Sequence, residues 1–133
     1  MKEQSFIIVT DSGCDMFADY LSASNVACVQ LGYTMNGVNY GDGGETLSLS
    51  DFYAQLRDGA KPTTYQATPE SVRERVEPIL QSGKDALCIS FSSGLSGTCG
   101  SYQVAAKSLM EKYPERKVIV VDSLCASMGQ GLL

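Results

Sequence analysis

Apolar residues along this chain alternate between two patterns: compact β-rich runs, and longer stripes at helical spacing. Phe6-Ile7-Ile8-Val9-Thr10 predicts a buried strand, broken by Asp11-Ser12-Gly13. From Asp15 to Ser22, Met16, Phe17, Tyr20 and Leu21 share one helical stripe, which predicts a short first helix. Val26 to Met35 returns to strand, Asn36-Gly37 is a hairpin turn signal, and Val38-Asn39-Tyr40 is the returning arm. Ser48 with Asp51 marks a helix start, Phe52, Tyr53 and Leu56 supply its apolar face, and Gly59 stops it. Lys61 to Ala67 reads as extended loop.

Thr68 is a good N-cap with Pro69 at the first helical position. The helix that follows carries Val72, Val76, Ile79 and Leu80, with Pro78 expected to kink or weaken its last turn and Gly83 to end it. Ala86 to Phe91 is the next strand, and Thr98 to Tyr113 the longest helix, with Tyr102, Ala105, Ala106, Leu109 and Met110 at helical spacing. Lys117 to Val121 is the last strand, and a further helix begins near Ser127. This order predicts an α/β domain: a mostly parallel sheet flanked by helices, a three-layer α/β/α arrangement. Ligands of such sheets bind beyond the carboxyl ends of the strands. Three hydroxyl-rich loops meet there: Thr10-Asp11-Ser12, Ser92 to Thr98, and Asp122-Ser123.

Composition narrows the function classes. A length of 133 residues is one domain, expected to span 1–133. The net charge is −5 and the cations are scattered singly, which argues against nucleic acid. No apolar run approaches the roughly 18 residues of a membrane span. The five cysteines show no paired spacing and no secretory signal precedes them, so they read as reduced thiols of a cytoplasmic protein. There is no histidine, which removes Ser-His-Asp and Cys-His catalysis and His-ligated metals from this chain.

The segment Ser92-Ser93-Gly94-Leu95-Ser96-Gly97-Thr98 links an apolar strand directly to a helix. Its Gly-Leu-Ser-Gly is one residue out of register for a nucleophile elbow, and no Gly-Lys-Ser/Thr follows as in a P-loop. Two readings stay open: a tight turn with a serine cap, or a cradle in which hydroxyls and backbone dipoles hold a carboxylate or phosphate. Asp11 and Asp122 fit either an oxygen-ligand pair for Mg²⁺ or caps of the turns after their strands. Cys99 is either a thiol activated near a helix N-terminus or an incidental buried one. Between two prolines, Lys61 to Pro69 packs three threonines and a glutamine, and a rigid linker with a helix cap leaves Thr63, Thr64 and Gln66 unexplained.

Four blocks together resemble the DegV family of bacterial fatty-acid-binding proteins. They are Ile8-Val9-Thr10-Asp11-Ser12 with Asp15, Pro62-Thr63-Thr64-Tyr65-Gln66, Ser92 to Thr98, and Val121-Asp122-Ser123 followed by Ser127-Met128-Gly129-Gln130-Gly131. The resemblance implies a non-catalytic carrier that buries one long-chain fatty acid and presents it to a separate fatty acid kinase subunit, with no other cofactor. By position, Thr64 and Ser96 would hold the carboxylate, with Gly97 and Ser93 beside them and Ser12, Thr63, Gln66 and Ser123 supporting the loops. Tyr65 stands where the family usually has serine, and Ala67 where it usually has proline.

The family protein has two domains, and this chain resembles only the first. The lipid-covering C-terminal domain, with a histidine and an arginine near the carboxylate, lies outside it. Ending at Gln130-Gly131-Leu132-Leu133, at a helix start, favours truncation, and the uncovered interdomain face offers a route to self-association. Two other classes compete: a Mg²⁺-dependent phosphotransferase or phosphatase built on Asp11 and Asp122, and a structural domain whose serine-rich loops only cap helices.

Overall fold

The structure, a computed structural model, describes residues 5–133. Its main sheet has four parallel strands in the order β2 (Ala27–Val29), β1 (Phe6–Asp11), β6 (Asp85–Ser90), β7 (Val118–Asp122). The register sets Val9 beside Cys88 and Ala86 beside Val118, so these side chains share one face. Helices α3 (Pro69–Gln81) and α4 (Thr98–Lys112) close that face. They bring Val72, Val76 and Leu80 from one side and Tyr102, Ala105, Ala106 and Leu109 from the other into a single buried cluster. The helical spacing read from the sequence is therefore the core stripe.

Helices flank the sheet unequally. Right-handed crossovers place the β1-to-β2 connection and the β6-to-β7 connection on opposite faces, because they step in opposite directions from the sheet centre. The first connection carries only the short α1 (Ala18–Ala23), and α5 (Met128–Gly131) packs near it on the turn Ser12–Cys14. In β7, Val118 is 5% exposed and Ile119 is 55% exposed, which marks the thinly covered side.

A second sheet is antiparallel, in the order β4 (Val38–Tyr40), β3 (Gly32–Met35), β5 (Thr63–Tyr65). Its hairpin turns at Asn36 and Gly37, with φ of 53° and 79°, as a tight primed turn requires. Helix α2 (Leu49–Arg57) starts at the expected cap, where Ser48 Oγ accepts from Asp51 N at 3.0 Å. Thr68 and Ser71 cap α3 reciprocally, and that helix continues past Pro78 to Gln81.

Three local expectations are corrected. The run Val26 to Met35 is two strands in two different sheets, parted where Leu31 N donates to Ser12 Oγ at 2.9 Å. The supposed loop Lys61 to Ala67 contains β5, whose three residues are all exposed, so no apolar alternation betrays it. The first helix, expected from Asp15, starts only at Ala18, after a 3₁₀ turn at Ser12–Cys14 and Asp15 with φ 53°, and Phe17 and Tyr20 of the expected apolar stripe face outward.

Candidate functional site

The ends of β1, β6 and β7 lie side by side, so the loops that follow them converge. Asp11, fully buried, ties two of these loops together. One carboxylate oxygen accepts from Phe91 N at 2.8 Å, and the other from Gly13 N at 3.1 Å and Gln130 Nε2 at 3.2 Å. Burial pushes the Asp11 carboxyl above the usual carboxylate range, and these three donors pull it back. Asp122 Oδ1 accepts from Ser93 N and Leu124 N, both at 3.1 Å. Ser93, through its side chain and its N–H, and the Leu124 N–H hold the Asp122 carboxyl below the usual range.

Both aspartates are thus anchors of loop backbone. The Mg²⁺ pair is corrected on this point: both oxygens of Asp11 and Oδ1 of Asp122 are engaged by N–H donors, and no three His, Cys, Asp or Glu side chains cluster as metal ligands among the described residues. Cys99 is 2% exposed, a buried thiol on the first turn of α4.

The Ser92–Thr98 loop is a closed hydrogen-bonded turn. Ser92 O accepts from Leu95 N and Ser96 N, each at 3.1 Å, and Ser92 N donates to Cys125 O at 3.0 Å. Helix α4 has Gly97 at its N-cap, which offers no side-chain oxygen. Ser96 serves instead: its Oγ accepts from Thr98 N at 3.2 Å and lies 3.0 Å from Thr98 Oγ1. Thr98 is fully buried and its Oγ1 accepts from Ala67 N at 3.3 Å. This threonine clamps the Thr64–Ala67 segment to the head of α4, so the two segments singled out in the sequence become one surface.

That surface forms one end of an open cavity of about 1090 Å³. Ser12, Thr64, Gln66, Ser96 and Gly97 line its polar end. Leu31, Tyr33, Tyr40, Phe52 and Phe91 supply apolar wall. Tyr33 stacks on Tyr40 at 5.1 Å, and Phe52 meets Tyr33 edge-on at 5.2 Å, which makes that wall rigid. Among the described residues neither Thr64 Oγ1 nor the Gln66 amide makes a hydrogen bond within the protein, so both are available to a ligand.

A family model for uncharacterised proteins of the DegV family matches residues 5–133. The chain belongs to the DegV family. A DegV domain-containing protein of Clostridium perfringens is 34% identical over 131 residues, which are 98% of this chain and 45% of that protein. Among solved structures, a stearic acid-binding protein from Eubacterium ventriosum matches with a TM-score of 0.87 at 27% identity, covering 96% of this chain and 44% of the other. A DegV family protein from Thermus thermophilus, solved for its fatty acid binding, matches with a TM-score of 0.81 at 32% identity, covering 97% and 44%. The chain therefore spans less than half the length of these relatives.

The structure gathers some of the DegV loop residues and leaves others aside. Ser93 is exposed and bonded to Asp122, Thr63 is exposed on β5, and Ser123 closes its own turn onto Cys125 at 3.1–3.2 Å; none of the three lines the cavity. Tyr65 and Ala67 each have a local role in this structure. The Tyr65 ring covers Gly32 across the antiparallel pair, so closely that a β-carbon on Gly32 would stand 2.1 Å from it. Ala67 is fully buried under the Thr98 clamp and needs its N–H as donor, which proline lacks.

Sequence reasoning placed Thr98 in a converging loop and Gln130 in the last family block, but gave neither a role in this assembly. Thr98 was visible as a helix start, but its bond to Ala67, 31 residues away, has no local signal.

Proposed function

We propose that this chain is the head-group-binding part of a fatty-acid carrier. Thr64 and Ser96 hold the carboxylate, Gly97 and Gln66 shape the space beside it, and the tail lies along the aromatic wall. The observation that carries this reading is the shared cavity: Thr64, Gln66, Ser96 and Gly97 meet in it, Leu31, Tyr33, Tyr40, Phe52 and Phe91 supply an apolar wall, and Asp15, Gln30 and Glu45 also line it. Neutral donors suit a single carboxylate, and charge-assisted bonds to it are the stronger kind. The chain has no histidine, and Asp11 and Asp122 are engaged as loop anchors, so neither a histidine of this chain nor these two aspartates act as a base for acyl or phosphoryl chemistry. These features support a reading of binding without catalysis. The Eubacterium ventriosum and Thermus thermophilus relatives, which bind fatty acids, support the ligand class.

In this reading residues 1–133 are one domain of a two-domain carrier, a second domain covers the tail, and a separate fatty acid kinase receives the lipid. Native mass spectrometry of the purified chain, beside its denatured intact mass, tests the binding step. One fatty-acid adduct that disappears on denaturation is the expected result. A bare chain that also fails to take up added palmitic acid or oleic acid, alone and fused to a relative's remaining domain, overturns it.

A further inference from the structure

Gln130 is a polar side chain that the fold has buried at some cost. It sits in α5 and is 3% exposed. Its Nε2 faces three acceptors: Thr10 Oγ1 at 3.0 Å, Asp11 Oδ1 at 3.2 Å and Ile89 O at 3.2 Å. Its Oε1 is buried with no partner. The amide cannot be turned over to help that oxygen. Thr10 gives its own hydrogen to Ile89 O at 3.1 Å, so all three neighbours accept, and the flipped amide would set oxygen against oxygen. A buried acceptor left unpaired is a standing penalty, retained where the other end of the group is needed.

The N–H end is directed at Asp11. The other oxygen of that carboxylate holds Phe91 N at 2.8 Å, at the root of the Ser92–Thr98 loop. Two further contacts fix α5 against the same place. Ser127 N donates to Gly13 O at 2.8 Å, and a β-carbon on Gly131 would stand 2.8 Å from Met16 Sδ and 3.0 Å from Cys14 O. A chain of contacts thus runs from α5 through Gln130 and Asp11 to Phe91 and on to Ser96.

We propose that Gln130 is a positioning residue for the carboxylate site: it orients Asp11, Asp11 sets the Ser92–Thr98 loop, and the loop aims Ser96. This rests on the fatty-acid reading given above and couples the site to α5. Losing the amide therefore weakens recognition of the head group, not of the tail.

The test compares wild type, Gln130→Met and Asp11→Asn in the full chain, using palmitic acid and hexadecanol as ligands with the same tail. Amide hydrogen exchange across Ser92 to Gly97 is followed in parallel. Both variants are expected to bind palmitic acid at least tenfold more weakly and hexadecanol within twofold of wild type, with faster exchange in the loop but not in β6. An equal loss of both ligands assigns Gln130 a structural role only and overturns the proposal, as does unchanged discrimination. If one variant does not fold, the other decides by the same criteria. If wild type binds neither ligand, the fusion described above decides the fatty-acid reading, and the exchange data alone decide this proposal: unaltered loop protection in the variants removes the positioning role, and selective loss retains it.

Discussion

The Gln66 side chain lies against Gly97 so closely that a β-carbon on residue 97 would stand 2.1 Å from Gln66 Oε1 and 2.7 Å from Cδ. Gly97 has φ −74°, which any residue adopts, so the glycine is there for the close approach and not for the backbone. Gln66 is exposed and can swing away. Gly97→Ala is therefore expected to leave the melting temperature within a few degrees while displacing Gln66 from the polar end of the cavity. Loss of one hydrogen bond to a charged ligand, about 1.5 kcal/mol or more, makes binding roughly tenfold weaker. Titration with a fluorescent fatty acid beside a thermal melt checks this, and unchanged affinity would remove Gln66 from the site.

Thr64→Val and Ser96→Ala separate binding from folding. Thr64 Oγ1 has no partner within the protein among the described residues, so its replacement costs ligand affinity only, by about 1.5–3 kcal/mol. Ser96 also caps the start of α4 through Thr98 N, so its replacement loses a similar amount of affinity and about 0.5–2 kcal/mol of stability. Isothermal titration with chemical denaturation gives both quantities. Equal stability loss in the two variants would contradict the capping role of Ser96.

Much of this organisation was legible in the chain. Val9, Val72, Val76, Tyr102 and Leu109 were readable as core because their spacing matches strand and helix periods, and all are 1% exposed or less. The convergence of the three loops followed from the α/β pattern, and the DegV blocks pointed to Thr64 and Ser96. What stayed hidden depends on long-range contacts. Strand β5 is wholly exposed, so only its pairing with β3 defines it. The choice between Asp11 as metal ligand and as anchor rests on Phe91 and Gln130, 80 and 119 residues away. Local propensity carries neither fact.

Tyr65 and Gly32 are matched across the β3–β5 pair, an aromatic ring seated on a glycine, with Tyr65 Oη donating to Tyr40 O at 3.3 Å. Tyr65→Ser uncovers Gly32 and is expected to cost about 0.5–1 kcal/mol, or roughly 2–4 °C of melting temperature. Gly32→Ala drives the ring from its seat and costs more. Tyr65→Ser also enlarges the cavity beside Thr64, because Tyr65 lines it. Thermal melts of the two single variants and the double variant check the pairing. Strictly additive losses would show that the ring and the glycine act independently.

Cys88 and Cys28 set an alkaline limit on the fold. Burial pushes both thiols up to about 12 from an ordinary value of 9.0. For Cys28 the neighbouring Cys14 and Asp11 add to the rise. Above pH 9 the unfolded chain releases these protons while the folded chain keeps them. The contribution of the neutral thiols is thus fully present below pH 9 and is lost as pH rises toward 12, by up to about 1.4 kcal/mol per pH unit for each thiol. Denaturation midpoints measured from pH 8 to pH 11 are expected to fall steadily, and the Cys28→Ala, Cys88→Ala pair to flatten that fall even though it lowers stability at pH 8. At pH 8.5 iodoacetamide should leave both residues unmodified in the native protein and alkylate them in guanidinium. A wild-type pH profile parallel to that of the double variant, or native labelling at either position, would show that the thiols ionise as readily in the fold as outside it.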